Sequence, residues 1–137
     1  TWQLAPPEQG NSLTFRARLG ANGEKWYAYL VDGANVGPML VFFQGHVLMI
    51  TDTAEVKYPV DTSVFHDYSL STSAGFMSFH VDGIEVQRDR TASSGTTGRP
   101  QLLLGDGQST TGRFGDETGI FEVDYVTIKT YSACVSL

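Results

Sequence analysis

The sequence predicts an all-β domain built as two packed antiparallel sheets, a β-sandwich. Three observations carry that prediction. Short runs of alternating apolar and polar residues recur at near-regular spacing, with turn residues between them. Gly contributes 15 of the 137 residues and aromatic side chains 12%, whereas charged residues reach only 18%. No stretch holds the three-four apolar spacing of a helix for more than two turns. The same composition argues against a helical bundle, a coiled coil and a disordered chain. At this length the chain buries one core without staples, so a single domain over residues 1–137 is expected.

The elements follow in order. Ser12 to Leu19 (SLTFRARL) alternates cleanly: Leu13, Phe15, Ala17 and Leu19 on one face, Thr14, Arg16 and Arg18 on the other. Gly20-Ala21-Asn22-Gly23 is a turn. Lys25 to Val31 (KWYAYLV) is apolar on both faces, which predicts an inner strand ended by Asp32-Gly33. Pro38 to Gln44 and His46 to Thr51 form a hairpin about Gly45, again covered on two sides. Glu55 to Tyr58 reads as a short edge strand closed by Pro59. Phe65 to Ser71 and Phe76 to Asp82 flank the turn Thr72-Ser73-Ala74-Gly75. Asp82-Gly83 then turns into Ile84 to Arg88, and Asp-Gly between two strands is a strong hairpin signal. Thr91 to Arg99 is a polar loop, Gln101 to Leu104 a short apolar strand, and Gly105 to Gly119 a Gly-rich loop. Ile120 to Thr130 is a long last strand. The total is roughly ten or eleven strands, with no internal repeat and no linker.

Charge narrows the functional classes. Nine Lys and Arg against fifteen Asp and Glu leave a net charge of −6. That balance disfavours nucleic acid and anionic membrane surfaces as partners. No apolar run is long enough to insert across a bilayer. The single cysteine, Cys134, allows neither an internal disulfide nor a cysteine zinc site. It fits a partly buried thiol, an intermolecular partner, or a piece cut from a longer chain. The start at Thr1, without a signal peptide, fits a processed or excised domain.

Two stretches resemble a known superfamily. Phe65 to Val86 holds Tyr68 and Val81-Asp82-Gly83, and Leu102 to Ile128 holds Leu104-Gly105-Asp106-Gly107 and Val123-Asp124-Tyr125-Val126. Together they are similar to the C-terminal half of the concanavalin A-like lectin/glucanase superfamily, especially its laminin-G-like members. The resemblance covers about a third of the chain, and the final strand is its more telling part. It implies a jelly roll with one concave sheet and carbohydrate binding as the common task, with hydrolysis or lyase chemistry in some branches. The glucanase branch uses Glu-x-Asp-x-x-Glu on one strand, where alternation sets the acids on one face of the cleft. Glu122-Val123-Asp124-Tyr125-Val126-Thr127 departs from it, with Thr127 in place of the last glutamate, and no catalytic residue is expected there.

Other chemistry is thin. His46, His66 and His80 lie in three different strands, with Asp67 and Asp82 near two of them, and read as solvated or hydrogen-bonded strand histidines. There is no Gly-x-Ser-x-Gly elbow and no His-Glu-x-x-His pair. Calcium is the metal to expect, because a Gly-rich loop offering Asp106, Asp116 and Glu117 before Asp124 supplies hard oxygen ligands. The resemblance implies a structural ion held by Asp124 beside an N-terminal acid such as Glu8; Asp106 from the loop and Asp124 are the expected ligands.

Sugar binding needs aromatic faces and planar polar groups. Trp26, Tyr27 and Tyr29 share one central strand, Phe42, Gln44 and His46 the neighbouring hairpin, and Arg16 and Arg18 one polar face. The bland alternative is core packing for the aromatics and a solvated face for the arginines. The expectation is a non-catalytic, lectin-like module that binds a glycan or polysaccharide on its concave sheet through Arg16, Arg18, Trp26, Tyr27, Gln44 and His46. Its place is extracellular or periplasmic, within a larger multidomain protein. A small glycoside hydrolase or polysaccharide lyase of the same fold is one alternative, and a protein-interaction or structural module is another.

Overall fold

The computed structural model describes residues 10–20, 26–31, 39–51, 53–73, 76–90, 101–105 and 120–130. Ten strands are found among them: β1 (Asn11–Leu19), β2 (Trp26–Val31), β3 (Met39–Phe43), β4 (His46–Ile50), β5 (Glu55–Pro59), β6 (His66–Ser73), β7 (Phe76–Val81), β8 (Ile84–Arg90), β9 (Gln101–Gly105) and β10 (Phe121–Thr130). They form two five-stranded sheets, ordered β10-β1-β6-β7-β8 and β5-β4-β3-β2-β9. Every pairing is antiparallel. The expected sandwich is what forms. The expected turn at Asp32-Gly33 and the loops 91–99 and 106–119 lie outside the described residues, as does Cys134.

Alternation decides which face packs. Along β1, Leu13, Phe15, Ala17 and Leu19 are buried while Thr14, Arg16 and Arg18 stay partly exposed. The same period buries Tyr68 and Leu70 on β6 and Met77, Phe79 and Val81 on β7. From the other sheet, Ala28, Leu30, Leu40, Phe42, Val47 and Met49 meet this layer. Its centre is aromatic: Phe42 lies against Phe15, Trp26, Tyr68 and Phe121 with ring centroids 4.8–6.0 Å apart. Trp26 stacks flat on Phe121 at 3.6 Å, which ties β2 of one sheet to β10 of the other.

The β7–β8 turn has the chemistry the sequence announced. Asp82 has φ 51° and Gly83 φ 80°, the two left-handed residues of a two-residue hairpin whose twist matches its strands. One register shift sits in β10. Arg16 pairs with Tyr125 and Ala17 with Val123, so Asp124 is the extra residue of a bulge. The bulge keeps Phe121 and Ile128 against the core and lets both Glu122 and Tyr125 point outward.

A polar clasp closes one edge of the sandwich. Asp89 of β8 accepts hydrogen bonds from the hydroxyls of Thr51 (2.5 Å) and Thr53 (2.6 Å), which belong to the β4–β5 connection of the opposite sheet. These bonds, with the Arg90 N–H, hold the Asp89 carboxyl below the usual carboxylate range. A lowered folded-state value means stability present above the unfolded value, near pH ~4, and lost as pH falls through the folded one. Asp89→Ala is expected to cost about 1.5 kcal/mol at neutral pH. Urea denaturation of both proteins at pH 7 and in acid checks this, and a gap that fails to narrow in acid would rule out the clasp as its source.

Candidate functional site

The outward face of the β10-β1-β6-β7-β8 sheet carries the polar positions of five strands. In register, Thr14 lies beside Ser69 and Ser69 beside His80, while Ser12, Ser71 and Ser78 form the next row. Thr14 Oγ1 and Ser69 Oγ are hydrogen-bonded at 3.0 Å. This hydroxyl floor underlies a groove of about 360 Å³. Thr14, Ser69 and Ser71 form its base, and Asp67, His80, Gly83 and Tyr125 line its sides.

One end of the groove is organised around Asp67. Tyr125 reaches across β1 and donates its hydroxyl to Asp67 Oδ1 at 2.6 Å. Arg16 Nη1 lies 3.5 Å from the same oxygen, and Arg16 Nε lies 3.9 Å from Asp124. The bond to Asp67 raises the Tyr125 phenol above its ordinary value, with desolvation and the Asp67 charge adding to it. Tyr125 is therefore a protonated hydroxyl at neutral pH. His80 stands one strand over and one pleat repeat along from Asp67, a Cα-level offset of roughly 8 Å. The Tyr125 hydroxyl and the His80 ring consequently face one space.

The backbone beneath is pinned by a second network. Asp82 accepts from the Asp67 N–H at 2.9 Å and lies 2.7 Å from His66 Nδ1. Partial burial pushes the Asp82 carboxyl up, but the Asp67 N–H, His66 and Arg16 together pull it below its usual range. His66 Nε2 is 3.0 Å from the Asp61 carbonyl. Beside Arg16, Arg18 is bonded to Glu122 at 2.6 Å, and both guanidiniums lie over the Phe65 ring, at 5.7 Å and 4.7 Å.

The six ligand contacts expected from sequence do not share a surface. Arg16 and Arg18 are on the groove face. Trp26 is packed in the layer between the sheets, so its ring is a core element and not a sugar platform. Tyr27 is buried on the sheet that does not carry the groove. Gln44 sits in the β3–β4 turn and donates to the Gly20 carbonyl at 3.2 Å. His46 opens β4 of that other sheet, stacked on Phe43 at 4.8 Å, and desolvation by burial, then Lys57, lowers its pKa. Strand period places side chains on faces, but it does not tell which strands share a sheet, and here the aromatic strands fall in the other sheet. The residues missed are those that line the groove: Tyr125 and His80, and with them Asp67, Ser69 and Ser71, which alternate in plain view along HDYSLSTS.

Among the described residues no metal donor set surrounds Asp124. Its carboxylate is 63% exposed and faces the Arg16 guanidinium, and no group of three His, Cys, Asp or Glu side chains suited to a metal occurs among the described residues. Asp106, Glu8, Asp116 and Glu117 lie outside those residues. No helix among the described residues is long and apolar enough to cross a membrane.

Comparison with known proteins adds the fold's relatives. No protein-family model and no curated protein matches the sequence. Solved structures do match. Alginate lyase A1-II′, a member of polysaccharide lyase family 7, superposes with a TM-score of 0.71 at 7% identity over 95% of this chain and 65% of its own. The family 7 lyase AlyA1 from Zobellia galactanivorans gives 0.61 at 8% over 93% and 64%. The alginate lyase from Corynebacterium sp. gives 0.62 at 12% over 88% and 58%. The fold is a concanavalin A-like jelly roll. This chain spans about 58–65% of the length of these three lyases.

Proposed function

We propose that the groove binds a uronate-containing polysaccharide and cleaves it by β-elimination. The observation that carries the reading is that Tyr125 and His80 line one hydroxyl-floored groove, with Arg16 beside its end against Asp67. Support comes also from structural neighbours that are alginate lyases. One of them, carrying a His-to-Asn and a Tyr-to-Phe change, was solved in complex with substrate.

The chemistry asks for three tasks. The proton α to the uronate carboxylate is weakly acidic, so the carboxylate charge must be offset while that proton leaves. Arg16 does this, since a guanidinium presents its N–H donors in a fork that matches a carboxylate. His80 takes the α-proton as general base. The electron pair forms the new double bond, the bond from the β-carbon to the glycosidic oxygen breaks, and that oxygen receives the Tyr125 proton. Tyr125 exchanges Asp67 for the glycosidic oxygen as its partner. In the free protein the bond to Asp67 holds the phenol protonated, so the donor meets the substrate with its proton in place. Such an enzyme works on polysaccharide outside the cytoplasm, consistent with an extracellular or periplasmic place.

The test is incubation with alginate, with a second polyuronate and with a neutral β-glucan. Growth of the ultraviolet absorbance of unsaturated uronate ends is expected on a polyuronate and none on the glucan. Tight binding without that absorbance would leave the carbohydrate-binding module as the function, and cleavage of the glucan to reducing ends would point to hydrolysis.

A further inference from the structure

The groove face has a second basic end, on β8. Strand register sets Arg88 beside Ser78 and Arg90 beside Phe76, so both arginines point outward with the groove hydroxyls. The Arg88 guanidinium lies 5.9 Å from the centroid of the Phe76 ring. Phe76 is 43% exposed, one of the large apolar side chains this fold leaves in water. Glu85 bonds Arg88 through Nε and Nη2, both at 2.9 Å, and so aims the guanidinium without removing it from solvent, its side chain being 59% exposed. Glu85 takes only part of a group that has five N–H donors.

This arrangement repeats the one at the far end, where Arg16 and Arg18 lie over Phe65. Between the two lie the hydroxyl rows Thr14–Ser69 and Ser12–Ser71–Ser78, with His80 beside them. Three interstrand steps and four residues of rise separate Arg16 from Arg88, roughly 20 Å along the diagonal. That span takes several pyranose rings in a row. Arg16, Arg18, Arg88, Arg90 and Lys129 are five of the chain's nine basic residues, gathered on one face of a protein of net charge −6.

We propose that Arg88, braced by Glu85 and backed by Phe76, is a distal subsite that binds the carboxylate of a uronate several residues away from the reacting one. An arginine over an aromatic ring offers two kinds of contact at once: charge-assisted hydrogen bonds to the carboxylate, and an apolar face for the sugar ring next to it. The inference rests on the reading that the groove takes a polyuronate, and it concerns binding rather than the elimination step.

Isothermal titration of the whole chain with oligouronates of defined length tests it, every protein below, wild type at position 88 included, carrying Tyr125→Phe so that the sugars are not cleaved during the run. Wild type is expected to bind an octasaccharide more tightly than a disaccharide. Arg88→Ala is expected to weaken the octasaccharide about tenfold and leave the disaccharide unchanged. Arg88→Gln, which keeps the stem, should behave alike, and a thermal midpoint equal to wild type shows that both variants fold. Carboxyl-reduced octasaccharide should bind wild type and Arg88→Ala equally. Wild-type affinity for the octasaccharide in both variants overturns the subsite while leaving the polyuronate reading in place. Length-dependent loss, with no turnover by the chain that keeps Tyr125, upholds the subsite and removes the lyase step. Binding of no oligouronate by wild type overturns both.

Discussion

Tyr125→Phe is expected to lower kcat on a polyuronate by about 10²–10⁴-fold, the usual worth of a positioned proton donor, with little change in KM. The substitution removes one oxygen and keeps the ring, so what is lost is a proton and a hydrogen bond. In the free protein that bond goes to Asp67, in water, at 2.6 Å. Tyr125 is 41% exposed and lies on an edge strand, so the fold should hardly notice. The sign of the pH effect follows from the raised phenol pKa. A donor is active while protonated, and the bond to Asp67 extends that state to higher pH than a free tyrosine would keep it. Asp67→Asn is therefore expected to shift the alkaline limb of the kcat/KM profile, which reports the free enzyme, towards neutral pH, whereas a residue of merely structural importance would lower the rate at all pH values alike. A Tyr125→Phe enzyme that turns over at the wild-type rate would remove Tyr125 from the mechanism.

The neighbouring strand β1 shows what was legible in the sequence and what was not. The alternation of SLTFRARL named the four buried apolar residues of β1, because a sheet with one wet face writes its burial pattern directly into the chain. Asp82-Gly83 announced its turn for an equally local reason, the two positive φ values of a two-residue hairpin. The groove was harder because it is assembled from strands far apart in sequence. Asp67 and Tyr125 meet across β1, which neither residue's local pattern reveals. KWYAYLV advertises aromatics on both faces, and that pattern fits a core strand as well as a binding sheet. Trp26 turned out to be core, stacked on Phe121, and Tyr27 buried on the sheet away from the groove. Arg16 and Arg18 were found because they sit on a strand with one unmistakable polar face.

The largest effect on stability is expected from Phe42→Ala, about 3–5 kcal/mol of unfolding free energy. Phe42 is 1% exposed and is the ring against which four others pack, Phe15 and Tyr68 from the groove-bearing sheet, Phe121 from its edge strand, and Trp26 from its own sheet. Those neighbours are held by both sheets, so none can move into the vacated space without breaking ladder hydrogen bonds, and the cavity term adds to the lost transfer energy. For a domain of this size that corresponds to roughly a 10–15 °C fall in thermal midpoint. The effect should reach the site as well. Phe15 and Tyr68 are the inward neighbours of Arg16 and Asp67 on their strands, so a relaxed core loosens the spacing that sets Tyr125 on Asp67. Phe42→Leu, which refills most of the volume, should recover more than half of the loss. Thermal unfolding of the three proteins, with oligouronate affinity measured on each, checks both parts. A Phe42→Ala midpoint within a few degrees of wild type would mean that the aromatic layer is not the mechanical centre of the sandwich.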